Sequence, residues 1–536
     1  FSVRTATNTT FTFYANDNSP SQDVYCNALG NSTNTGIASN SPLPGLYEIL
    51  TTFDLEGGDV VYLDTGNYVT PTVTNSLFDS GRAGAPVRIL GSTNGTTLSR
   101  GSTLADVLDI SGASHLVMEN LRLADGRYGL VGTSSADITL RNMQFTGNRY
   151  GVNLSGAAVR HTFERCLAVN NTEIGFYNVS TSSRSNFWFN GVLWGNPTVL
   201  YARTNNLAVS NSILGNGTTL LGSQVVPGGF NVVWNVSDMG THSSFTALQD
   251  AGAGWSNSLY ADPLFCNATN GDFHVRSSAG RWDTNLAAFV ATDTNDSPAI
   301  DFGDPAAAVA AEPPPNGSRL NVGLFGGTEQ ASKSRTNAWI QLASYLNGGT
   351  LDAQAGAWMR WNAGEYEPGA TVTIWLSRDN GASWEALATN APAADGHYYY
   401  QDPIADDSSS REALLRVELN DAVPPASSQS PTNFIYRNGT FAFYVNDDSQ
   451  SGDVYCSALG NDANSGSSAG APMRNLHALL NKLGQLGPGD RIYVDTGVYA
   501  ATNAVRITAP FSGSATNPVV IAGSTNRLAG GSLFQS

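Results

Sequence analysis

Glu119 and Glu164 are the carboxylates best spaced for paired acid–base chemistry, and Arg141 falls between them. The segments His115–Leu123, Asp137–Phe145 and Arg160–Ala168 align so that the three residues share one outward column. Strands stacked about 4.8 Å apart would put the two carboxylates about 9.6 Å apart, near the upper limit for an inverting glycosidase. Such a pair needs one carboxyl that keeps its proton near neutrality. Arg141, one step from each, holds both ionised, so the column reads as an ion-pair ladder.

Other residues invite chemistry more weakly. His161 falls on the inward side of the alternation and reads as a hydrogen-bonded core histidine. Arg165 interrupts an asparagine column; turned inward, it needs a partner. Asp17, Asp23, Asp447, Asp448 and Asp453 raise the question of Ca²⁺, which takes several oxygens from one turn. Asp462 aligns with Ser32, so the charge is not kept between copies; turn capping is favoured and no cofactor is expected. Phe187, Phe189 and Trp194 form an expected outward aromatic patch, the candidate carbohydrate-binding surface, with packing against a neighbour as the alternative. Cys26, Cys166, Cys266 and Cys456 lack metal-ligand spacing. Idle thiols and a Cys266–Cys456 disulfide, or one to a neighbouring chain, both stay open.

The elements that position these residues are repeats. Phe11–Asn31 returns as Phe441–Asn461, 430 residues later (441 − 11). Gly58–Tyr68 returns as Gly489–Tyr499, and Gly91–Asn94 as Gly523–Asn526. The chain holds one complete unit and the opening of the next, as expected of a segment from a longer repeating protein. Between about 107 and 222 a shorter period of roughly 21 to 25 residues appears, each rung alternating apolar and polar side chains. The inward columns are Leu116, Ile138, His161, Asn186, Leu207 and Met118, Leu140, Phe163, Trp188, Val209. Asn120, Asn142, Asn190 and Asn211 form a third column at a turn, where Asn tolerates a left-handed backbone.

Such rungs predict an all-β chain: a right-handed parallel β-helix, then an immunoglobulin-like β-sandwich, then the start of a second β-helix. The expected boundaries are 1–330, 331–433 and 434–536. Gly45–Phe53 and Arg474–Leu483 have helical spacing and would cover the first rung of each β-helix.

Tyr260–Phe265, Gly271–Val275, Ser297–Pro305 and Pro315–Thr328 resemble the closing segment of pectate-lyase-like right-handed β-helix domains. Gly460–Gly466 and Pro488–Tyr499 are similar to the lead-in of that superfamily. The resemblance implies large secreted or surface proteins of bacteria with immunoglobulin-like modules between β-helices. It also admits lyases and hydrolases, yet the chain has no Gly-His-Gly and no lysine before Lys333. Ser377–Trp384 matches the Asp-box pattern, a structural hairpin.

The expectation is therefore a non-catalytic repeat of an extracellular or cell-surface fibre or adhesin, whose partners are copies of itself and, through the aromatic patch, glycans. A polysaccharide lyase, a glycosidase or a glycan-binding module is the alternative. A net charge of −17 argues against nucleic acid, and no apolar run of this segment is long enough for membrane insertion.

Overall fold

The structure, a computed structural model, describes residues 10–535 apart from 204–205, 223–225, 227, 253, 310, 403, 405–407, 421, 501–504 and 508–510. Its first part is the expected right-handed parallel β-helix. One face is a nine-stranded parallel sheet that runs from Thr12–Ala15 through Ser114–Glu119, Ala136–Arg141, Thr162–Glu164 and Asn186–Phe189 to Gly228–Gly229. A second face includes Leu121–Gly126, Gln144–Thr146, Leu167–Val169 and Val192–Trp194. A third includes Tyr128–Thr133, Tyr150–Ser155, Ile174–Asn178 and Thr198–Ala202. The long strand Ile213–Leu221 pairs with both Val192–Trp194 and Thr198–Ala202, merging the second and third faces into one fifteen-stranded sheet.

The register follows the alternation of the sequence. Leu116 pairs with Ile138, Leu140 with Phe163, Phe163 with Trp188, and Trp188 with Val209. All of these are buried, and Phe163 stacks on Trp188 at 5.3 Å between ring centroids. At the corner between the first two faces, Asn120, Asn142, Asn190 and Asn211 have φ of 61°, 52°, 50° and 48°. Asn pays less than most residues for this conformation because its amide bonds locally. Asn142 Nδ2 donates to Asn120 Oδ1 at 3.1 Å. Arg165 adopts the same backbone, φ 51°, without an amide.

Both ends of the coil are covered. Helix α1 (Leu46–Thr52) buries Leu46 and Ile49 against the first coil. At the far end α2 (Phe245–Asp250) buries Phe245 and Leu248, and Ser244 caps its start by accepting from Ala247 N. Residues 261–335 then return along the outside with two short hairpins. That return path docks on the asparagine corner: Asn211 accepts from Asp304 N through Oδ1 and from Gly323 N through its carbonyl, each at 2.9 Å.

The next part has two sheets. Trp339–Leu342, Ala357–Gly364 and His397–Tyr400 make an antiparallel trio. Thr371–Ser377 and Ser410–Leu419 are central to a six-stranded sheet. That sheet keeps Phe434–Arg437, which lies past the expected boundary at 433. Leu342, Met359, Trp361, Ile374, Leu415 and Val417 fill the space between. The Asp379 carboxylate accepts from Ser383 Oγ, Ser383 N and Ser377 Oγ, which pulls its pKa down to about 2 and pins the hairpin.

Finally Ala442–Val445, Arg491–Val494 and Val520–Gly523 repeat the parallel register of the opening strands, with α3 (Leu476–Leu483) in the place of α1. Gly30 and Gly460 hold equivalent turns, where a Cβ would collide with the carbonyl oxygens of Asn16 and Asn446. The two copies thus share even their tightest contact.

Candidate functional site

The outward charged column is a continuous ion-pair ladder. Arg88 lies 3.8 Å from Glu119. Arg141 reaches Glu119 at 3.2 Å and Glu164 at 2.8 Å, and Arg165 closes on Glu164 at 2.6 Å. Arg165 therefore turns outward and finds its partner in the adjacent residue, instead of entering the core. The hydrogen bond to Glu164 comes first among the effects that raise the Arg141 pKa. Both carboxylates of this column are therefore engaged by arginines.

His161 is sealed in the core, and desolvation pushes its pKa down to about 4. Its Nδ1 lies 3.1 Å from the Val159 carbonyl, which can only accept, so Nδ1 carries the proton. Nε2 then accepts from Ser135 Oγ at 2.9 Å. A buried neutral histidine with both nitrogens engaged is a packing element.

A second asparagine ladder, unforeseen in the sequence, runs through the interior where the second face turns toward the third. Asn148 Nδ2 donates to Asn171 Oδ1 at 3.2 Å, and Asn171 Nδ2 to Asn196 Oδ1 at 3.0 Å. The same amides also donate to the carbonyls of Leu123, Phe145 and Ala168. All three asparagines are buried, so the ladder satisfies a turn that water does not reach.

The acidic residues of the repeated opening cap turns. Asp17 Oδ1 accepts from Ser19 N, Asp23 Oδ2 from Asn16 Nδ2, and their counterparts Asp447 and Asp453 do the same with Ser449 N and Asn446 Nδ2. Asp448 pairs with Arg474 at 2.7 Å. A denser set of hydrogen bonds gathers on a pair of aspartates not singled out from the alignment. Buried Asp64 accepts from the backbone N–H of Val24, Tyr25, Cys26 and Thr65 at 2.6 to 2.8 Å. Asp495 repeats this with Val454, Tyr455, Cys456 and Thr496. Among the described residues no three His, Cys, Asp or Glu side chains form a metal-binding set.

The Cys266–Cys456 disulfide does not form: all four cysteines are free. Cys266 sits in the outer hairpin of the first unit, whereas Cys456 is bedded in the second, its Sγ 3.8 Å from the Val445 carbonyl. Burial pushes the thiols of Cys26, Cys166, Cys266 and Cys456 up to about 12, which leaves them unreactive at neutral pH.

Nor do Phe187, Phe189 and Trp194 make one patch. Phe187 and Phe189 point out from the first face, Phe187 at 48% exposure. Trp194 lies around the corner on the second face, its ring met edge-on by Phe265 at 5.1 Å. The turn at Asn190 separates them, so the linear spacing was misleading.

The concave features among the described residues include two clefts. A cleft of about 510 Å³ opens between the corner residues Asn142, Gln144 and Arg165 and the overlying Phe325, Glu329 and Gln330. A smaller one of about 320 Å³ lies at the seam of β-helix and sandwich, beside Trp358, Arg360 and His397.

A family model described as "Periplasmic copper-binding protein (NosD)" matches residues 73–240, under a third of the chain and all within the β-helix. The crystal structure of pectate lyase Pel9A is similar over 59% of this chain and 96% of that one, at 14% identity and a TM-score of 0.33. No curated protein matches. Among the described residues the donors in the matched span form no metal-binding set, and the partly exposed His115 lies 4.0 Å from Asp137. Met118, Met143, Cys166 and Met239 are enclosed in the core, and His161 has both nitrogens engaged.

Proposed function

We propose that this chain is a structural repeat of a long extracellular or cell-surface fibre or adhesin, a non-catalytic rod in which β-helix and sandwich alternate. The observation that supports it most is that the sandwich is bolted to the units on both sides by buried polar contacts. On one side Gln249 Nε2 donates to the Ala343 carbonyl at 2.6 Å, and Thr246 Oγ1 accepts from Tyr345 N at 2.9 Å. The two units share one apolar core. On the other side Arg437 clamps Asp490, while Arg411 donates to the carbonyls of Leu483, the last residue of α3, and Gln485 just after it. Junctions fixed at both ends transmit orientation from one unit to the next, which a flexible linker does not.

Catalysis by a lyase or glycosidase finds no footing in the charged column, because its carboxylates are spent on arginines. Export fits the periplasmic family match, and location at the surface is part of the proposal. Tandem chains of one, two and three units, viewed by electron microscopy, test the reading. Straight rods that lengthen by an equal step per unit are expected. Beads that flex at the junctions, or turnover of polysaccharide, would overturn it.

A further inference from the structure

The seam between the first β-helix and the sandwich holds a cleft that the rod itself does not need. Its walls come from both units: Phe230, Ser256 and Asn257 from the closing coils, and Trp358, Arg360, Asn362 and His397 from the three-stranded sheet. Trp358, Arg360 and Asn362 alternate along Ala357–Gly364 and so project from the same side of that strand, while buried Met359 and Trp361 face the sandwich core.

Trp358 is 40% exposed, whereas the other tryptophan lining the cleft, Trp361, is buried. His397 and Tyr399 on the neighbouring strand meet it at 5.0 Å between centroids, at interplanar angles of 69° and 56°. These edges brace the indole and leave it as a platform. Arg360 is nearly buried and fixed by Asp250, at the end of α2, at 2.8 Å. Its charge is therefore already balanced, and Asp395 adds a negative group to the wall. The cleft thus pairs a rigid aromatic plane with a ring of amide, hydroxyl, imidazole and guanidinium groups. A volume near 320 Å³ is at the small end of ligand sites, which gather between domains.

We infer that this seam is a binding site for a neutral saccharide, one end of a glycan chain, with Trp358 stacking on a pyranose face and Arg360, Asn362 and His397 bonding its hydroxyls. The chemistry selects against the alternatives. A purely apolar ligand would leave the fixed polar groups unpaired. An anionic sugar would meet a guanidinium that is already neutralised, beside Asp395, on a chain of net charge −17. The proposal does not depend on the fibre reading, since a glycan could dock on an isolated unit.

The test uses the full chain and a panel of cellotriose, maltotriose, mannotriose, xylotriose and trigalacturonate, followed by calorimetry and tryptophan fluorescence. At least one neutral trisaccharide should bind and shift the fluorescence. Trp358→Ala should weaken it about tenfold or more, and Asn362→Ala to a smaller degree, both with an unchanged melting midpoint. Phe187→Ala, on the patch expected from sequence, should leave affinity as it was. Absence of binding by every neutral member up to about 10 mM, full affinity in Trp358→Ala, or tighter binding of trigalacturonate would each overturn the proposal.

Discussion

Arg437, on the last strand of the sandwich, holds both carboxylate oxygens of Asp490, in the second β-helix, at 2.7 and 2.9 Å. Asp490 is wholly buried and also accepts from Phe441 N and Gly487 N, so one carboxylate ties a turn, a strand and the preceding module together. Its counterpart Asp59 performs the same turn capping with Phe11 N and Glu56 N.

Arg437→Met leaves that buried charge with backbone partners alone. The loss should be about 3 kcal/mol, borne by the second β-helix and its junction. Small-angle scattering of the variant should show a broader spread of end-to-end distances than the parent. An unchanged profile with unchanged stability would remove Arg437 from the junction.

Inside the β-helix the expected costs are ordered by burial. Trp188→Ala opens a hole beside Phe163 and should cost about 3–5 kcal/mol in urea unfolding. Asn171→Leu strips partners from the Asn148 amide and the Phe145 carbonyl in a dry interior, for about 2–4 kcal/mol. Arg141→Met breaks the exposed ladder and should cost about 1 kcal/mol or less, shrinking further at high salt.

Stability should also depend on pH through two buried acids. Desolvation pushes Glu312 up to about 7 and Asp301 up to about 6. The folded chain therefore retains protons that the unfolded chain has already released, and stability falls as pH rises through these values. His161 works in the opposite sense: held neutral down to about 4, it costs stability only as pH falls below the ordinary histidine range. Between about pH 6.5 and 8 the acids act alone, so the melting temperature should decline, and Glu312→Gln should remove most of that decline.

Chelator should leave the melting midpoint where it is, because Asp17, Asp23 and Asp64 are engaged as turn caps. A fall in the midpoint on adding EDTA, restored by Ca²⁺, would show that a cation shares the turn.

The β-helix was legible because period-two alternation and a recurrent asparagine are direct consequences of stacked strands. The interior ladder of Asn148, Asn171 and Asn196 left a fainter trace. Each follows a residue of left-handed backbone, Gly147, Asn170 or Gly195, and these dipeptides recur at intervals close to the rung period. They carry little local signal because the strands beside them are only three residues long and alternate too briefly to register. Asp64 and Asp495 were aligned as repeats, but their role lies in amides some 40 residues earlier, a relation that no local pattern encodes. The aromatic patch failed for a related reason. One left-handed asparagine, Asn190, sends residues five and seven apart onto different faces.

Backbone bonds between successive coils run along the axis of the first β-helix, so a pull on its ends loads them directly. The covalent path meanwhile makes a detour around every coil, 22 residues from Ser114 to the paired Ala136 (136 − 114). It rises only about 4.8 Å in doing so. A coil that lets go releases roughly 70 Å of extended chain, many times the height it occupied. Under tension a β-helix of this kind would yield coil by coil, absorbing a sudden tug as slack.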